Sequence, residues 1–289
     1  MGIRNVLDEI KGNPPVQSRI GMTSIIMSDC IYLWYLYKSV NKYIKTKDIK
    51  FLFTSVASLF AFLNNLNDIV SFLFSANSDC KKFFYVFIAT ATLNWTPISW
   101  LQTIRLMSIT KVFYTRKTYK TISCITILLS LIYTASYYLN LTNYDYENIS
   151  KQTDYFMYCT VKQQKYINGT VEKDKYYTLY VMISDIVDSA FSFGILVLTT
   201  SMALENIKHL QFHHAKIKRM VEEGLFQFIV LTISKILIYP IIIYSTQNNL
   251  MIYDITWDFL SVIVIICSFR MVNVKYKRVK IFDDDPYMQ

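Results

Sequence analysis

Hydrophobic positions along this chain gather into long blocks separated by shorter polar stretches. A hydrocarbon layer about 30 Å thick takes roughly 20 apolar residues of helix at about 1.5 Å each. Seven blocks have that length with few charges, at 20–40, 51–74, 83–107, 121–139, 178–202, 226–244 and 252–269. The pattern predicts an all-α membrane protein: a short N-terminus (1–19), one seven-span bundle (20–269) and a tail (270–289). Within the bundle, a long loop at 140–177 and a mostly polar segment at 203–225 are expected, the latter extending the fifth and sixth helices. The first 19 residues are polar, so no cleavable signal peptide is expected and the first span serves as the insertion signal. Val6 stands where a myristoylation motif after Gly2 needs Ser or Thr, so no lipid is expected there.

Composition sharpens this reading. Charged residues are only 18% and hydrophobic ones 53% of the 289 residues, too apolar for an ordinary soluble domain and incompatible with disorder or a small disulfide scaffold. The net charge of +9 could indicate nucleic acid, but membrane proteins concentrate Lys and Arg in their cytoplasmic loops, so position decides. Alternate sides of the seven blocks carry 19 and 10 basic residues, with Lys235 inside the sixth block. The positive-inside bias therefore predicts an external N-terminus and a cytoplasmic C-terminus. The sequons at Asn140, Asn148 and Asn168 all fall in the 140–177 loop, on the side this assigns to the exterior, and are candidate glycosylation sites.

Two of the five cysteines, Cys80 and Cys159, fall on that external side. A disulfide between them would pin the long loop over the bundle mouth, the alternative being two free thiols.

Ionisable groups inside hydrocarbon are costly, so they face the bundle interior and mark candidate sites. Asp68, Asp185, Asp188 and Asp258 fall in the outer halves of their spans, Asp29 and Lys235 near the middle of theirs. Asp185 and Asp188 are three apart and share a helix face. Four acids facing one cavity would attract a cationic ligand, an amine or a basic peptide. The competing reading is structural: nearby Asn, Ser, Thr and Tyr, or Lys235 set against Asp188 or Asp29, would satisfy these groups as interhelical glue.

The external N-terminus, the seven blocks, Cys80, and Arg105 25 residues after it resemble the rhodopsin-like G-protein-coupled receptor superfamily, as does Pro240 in the sixth block. The resemblance implies a bundle receptor that couples to a heterotrimeric G protein. Arg105 would act as an activation switch, held at rest by Glu222 or Glu223 and released as the sixth helix swings about Pro240. Thr103-Ile104-Arg105-Leu106-Met107 keeps the Arg without the acid and Tyr that flank it in that family, and the seventh block lacks Asn-Pro-x-x-Tyr. The plain alternative for Arg105 is a helix-end base reaching for lipid phosphate.

Other chemistry finds little footing. No nucleophile with a nearby base and no glycine-rich phosphate loop is present, so an enzyme is not expected, nor is a cofactor. The seventh block has no Lys to carry retinal. His209, His213 and His214 could ligate a metal only with a third ligand that the neighbouring sequence does not offer, so a solvated face is expected. The remaining alternative function is a membrane transporter that uses the intramembrane Asp residues and Lys235 as a proton or substrate relay.

Overall fold

The computed structural model describes residues 14–74, 80–142, 144–148, 159–163, 172–207, 214–248 and 250–273. Seven helices account for nearly all of them: α1 (Pro14–Thr46), α2 (Lys50–Phe74), α3 (Cys80–Phe113), α4 (Arg116–Thr142), α5 (Glu172–Ile207), α6 (His214–Asn248) and α7 (Leu250–Val272). Every apolar block of the sequence lies inside one of these helices. The helices outrun the blocks because polar turns continue them past the apolar layer, as at α5 and α6, which close the 203–225 segment from both sides. A two-stranded antiparallel hairpin, β1 (Tyr144–Asn148) and β2 (Cys159–Gln163), lies between α4 and α5. It is absent from the sequence reading because five-residue strands carry too short a period to register.

Consecutive helices pack against one another, and α7 returns to α1 and α2, closing the bundle. α3 is the hub, touching α2, α4, α5 and α7. Tight connections hold one end of the bundle together. Lys47 adopts the left-handed conformation (φ 54°) directly after α1 and donates its N–H to the Tyr43 carbonyl at 2.7 Å, stopping that helix. The Asp48 carboxylate then accepts from the Lys50 N–H at 3.1 Å and starts α2. Cys80 and the hairpin mark the other, disulfide end.

Five helices, α2, α4, α5, α6 and α7, are long and apolar enough to cross a membrane, which is the mark of a membrane protein. α1 and α3 fall outside that set. For α3 the reason is its central place. Thr90, Asn94, Thr96, Ser99, Gln102 and Thr103 are all buried among the surrounding helices, so they lower its hydropathy without facing lipid. Many hydroxyls fold back onto the carbonyl one turn earlier, as Thr96 does to Thr92 and Thr126 to Ile122, which satisfies them within the helix.

Candidate functional site

The polar centre of the bundle is built by α3, α5 and α6. Asp185 and Ser189 stand one turn apart on α5, and Lys235 and Tyr239 one turn apart on the facing α6. Lys235 Nζ donates to Asp185 Oδ1 at 2.6 Å and to Ser189 Oγ at 2.9 Å. The Tyr239 hydroxyl donates to the other Asp185 oxygen. Both carboxylate oxygens are therefore engaged, and Asp185 and Lys235 are 1% and 4% exposed. The sequence had offered Asp188 or Asp29 as the partner of Lys235, and the structure corrects this to Asp185. Asp188 points instead toward α3, where Ser99 Oγ donates to its Oδ2 at 2.8 Å. A step of three residues turns the side chain about 60° around the helix, enough to send two acids of one face to different neighbours. Ser99 also reaches Ser130 of α4 at 3.1 Å, and Thr103 lies 2.6 Å from the same hydroxyl, extending the network across the bundle.

Aromatic rings cover this pair. Tyr239 packs near Trp257 of α7 (6.1 Å between centroids), and Trp257 meets Trp95 of α3 edge to face at 5.4 Å. Trp95 continues to Tyr137, and Tyr137 to Tyr133 of α4 at 5.9 Å. Tyr133 is fully enclosed and has Asp185 and Asp188 as its charged neighbours. Sequence reasoning did not single out these rings, because Tyr and Trp belts occur at the interfaces of any helical membrane protein. Only the packing separates five core rings from the 23 Tyr and 4 Trp of the chain.

A second polar group joins α1, α2, α3 and α7. Asn65 donates to Ser28 Oγ at 2.9 Å and to the Ile25 carbonyl at 3.2 Å. Tyr32 Oη donates to the Asp258 backbone carbonyl at 3.4 Å, and Asp29 and Asp258 are the charged neighbours of Tyr32. Asn94 donates to Ser261 at 3.3 Å. The acids thus fall in different neighbourhoods: Asp185 and Asp188 together with Lys235, Asp29 and Asp258 around Tyr32, and Asp68 half-buried on α2.

At the disulfide end Cys80 and Cys159 are bonded, with their Cα atoms 5.5 Å apart, as the cysteine positions predict. The Cys159 N–H also donates to Ser71 Oγ of α2 at 2.9 Å, so β2 is fastened to two helices. Asn140 is 5% exposed inside the last turn of α4, a buried helical site that does not suit the glycan proposed for it. Asn148 ends β1 with its side chain outside the described residues, and Asn168 lies wholly outside them.

At the opposite end, Arg105 is half-buried on α3, about two turns before the helix stops at Phe113. Glu222 and Glu223 lie on α6, but their side chains are outside the described residues, as are the side chain of His214 and all of His209 and His213. Pro240 sits within α6, and Pro97, which the sequence reading passed over, sits within α3. Each removes one backbone donor, which loosens the helix turn before it.

No protein-family model and no curated protein sequence matches the chain.

Proposed function

We propose that the chain is a seven-span plasma-membrane receptor, N-terminus outside and C-terminus inside. In this reading it binds an extracellular ligand in the disulfide half of the bundle and signals through a heterotrimeric G protein. The observation that carries the reading is the clamp of Lys235 and Tyr239 on Asp185, which joins α6 to α5 in the bundle core next to Pro240. A cationic ligand, an amine or the basic side chain of a peptide, competes with Lys235 for Asp185 and Asp188. Its removal from the pair frees α6 to swing about Pro240. Trp95, Trp257 and Tyr239, packed one against the next beside that pair, are the aromatic groups a cation there would meet. The hairpin tied by Cys80–Cys159 would complete the ligand site from above, with Asp68 and Asp258 at its margins. On the cytoplasmic side, the reading gives Arg105 the role of a switch that Glu222 or Glu223 would hold at rest and that the movement would release, opening a cleft for the G protein.

The test is a proximity assay in cells between the receptor and a panel of G-protein α subunits. Wild type is expected to couple, Arg105→Ala to change that coupling, and Asp188→Asn, which leaves the Lys235–Asp185 bond in place, to lose the ligand response at normal surface delivery. Normal delivery without coupling to any subunit would instead favour a transporter. That second reading draws on the same observation, since two acids and a lysine buried side by side could relay a proton or a charged substrate. Uptake that fails in Lys235→Met would establish it.

A further inference from the structure

Pro97 divides α3 into two lengths that are held by different means. The outer length is fixed to its surroundings: Cys80 is bonded to Cys159, Asn94 donates to Ser261 of α7 at 3.3 Å, and Trp95 meets Trp257 of α7 edge to face. The inner length runs on to Phe113 and carries Arg105. The junction between them is built to bend. Pro97 has no N–H to offer the Leu93 carbonyl, and two threonines just before it fold their hydroxyls back onto the helix, Thr92 to Ile88 and Thr96 to Thr92, both at 2.8 Å. Proline and back-bonded threonine are each sources of helix bending.

The polar ties of the inner length gather in one buried group directly below the junction. Ser99 and Thr103, one turn apart, both reach Ser130 of α4, at 3.1 and 2.6 Å, and Ser99 donates to Asp188 of α5 at 2.8 Å. Leu101 and Leu106 of the same length pack with Leu196, Phe228 and Met271. Apolar contact is non-directional and lets a helix turn, whereas hydrogen bonds fix its rotation. Asp188 is the member of the group that can let go. Both oxygens of Asp185 are engaged by Lys235 and Tyr239, but Asp188 meets one donor among the described residues, Ser99, and its Oδ1 meets none. A positive charge drawn to the Asp188 carboxylate therefore competes with a single neutral hydroxyl.

We propose that the inner half of α3 is a swivel, hinged at Pro97 and latched by the Asp188–Ser99–Ser130–Thr103 group, with Ser99 as the positioning residue that sets the rotation of Arg105. Its use in signalling rests on the receptor reading, in which a cation on Asp188 frees Ser99; the hinge and the latch stand without that reading. Ser108 lies eleven residues beyond Pro97, a lever of about 16 Å, so a bend of about 20° displaces it by about 5 Å.

The experiment measures distances between nitroxide labels by pulsed electron resonance on the detergent-purified full chain, lacking Cys30, Cys124 and Cys267 and keeping the Cys80–Cys159 bond. The labels sit at Lys45→Cys and Ser108→Cys, both exposed toward the inner ends of α1 and α3. With Pro97 and Ser99 intact one distance is expected. Ser99→Ala should add a second, displaced by about 5 Å, and Pro97→Ala combined with Ser99→Ala should return the chain to one. Asp188→Asn keeps an acceptor for Ser99 and should hold the original distance. A pair at the outer ends of α3 and α5, Lys82→Cys and Tyr180→Cys, should keep one distance throughout. An unchanged distance in Ser99→Ala would overturn the proposal, as would a second distance that persists once Pro97 is replaced, because the loosening would then be general rather than hinged. Should Ser99→Ala fail to fold, Ser130→Ala and Thr103→Val each interrupt the same group, and a single distance in both overturns the proposal equally. The readout needs no ligand and no signalling, so a failure of G-protein coupling leaves this result to be judged alone.

Discussion

Lys235 illustrates how a single buried charge is tolerated. Its ammonium has left water for a site with 4% exposure, and it is held there by one carboxylate, one hydroxyl and the tyrosine that shares the carboxylate. The pair need not add net stability over a well-packed apolar substitute, but loss of one partner strands the other. Asp185→Ala is therefore expected to cost about 3–5 kcal/mol, whereas Asp185→Leu combined with Lys235→Met should recover most of that loss. Denaturation of the purified variants in detergent checks both, and a single variant as stable as wild type would show that Lys235 finds another partner. If the receptor reading holds, the double variant should also signal without ligand, because the clamp on α6 is gone.

Among the elements, the hairpin is the least self-sufficient. An isolated two-stranded ribbon is marginal in water, and this one draws its placement from the bond to Cys80 and from the Cys159–Ser71 hydrogen bond. The disulfide closes a sequence separation of 79 residues, and the chain-entropy argument gives about 4–5 kcal/mol for a loop of that size. Cys159→Ser should lower stability by up to that amount. Digestion under non-reducing conditions should yield a peptide pair joined through Cys80 and Cys159, and recovery of the two peptides unlinked would contradict the bond. The free cysteines differ in surroundings: Cys30 and Cys124 are exposed on the outer faces of α1 and α4, and Cys267 is buried. Reactivity toward a lipid-soluble thiol reagent should follow that order.

On the scale of the whole molecule, the distribution of charge bears on the orientation of the bundle. Basic residues crowd the end where α1 meets α2 and α3 meets α4, including Lys45, Lys47, Lys111, Arg116, Lys117 and Lys120, all exposed. Facing the cytoplasm, this end would lie against anionic lipid headgroups, with Lys38 set over Trp34 at 4.6 Å as an interfacial anchor. A cysteine introduced at Asn148, in a background lacking Cys30, Cys124 and Cys267, should react with a membrane-impermeant maleimide on intact cells. One introduced at Lys47 should react only after permeabilisation. The reverse pattern would invert the topology and remove the ligand site from the exterior.

The blocks of apolar residues determined where the helices lie, since every block falls inside one helix and five of those helices are long and apolar enough to cross a membrane by themselves. The two cysteines determined their own pairing, since no others fell beyond the apolar blocks on their side of the chain. That Asp185, Asp188 and Lys235 belong in the interior was equally legible, because charge cannot face hydrocarbon. Which acid meets which base was not. Partners on different helices depend on rotation, depth and crossing of α3, α5 and α6, and a 60° turn separates the Asp185–Lys235 bond from the Asp188–Ser99 bond. Packing likewise decided that Trp95, Trp257, Tyr133, Tyr137 and Tyr239 form the aromatic cover, and that Asn140 is buried. A local pattern states what a side chain cannot face, while only the assembled bundle states what it does face.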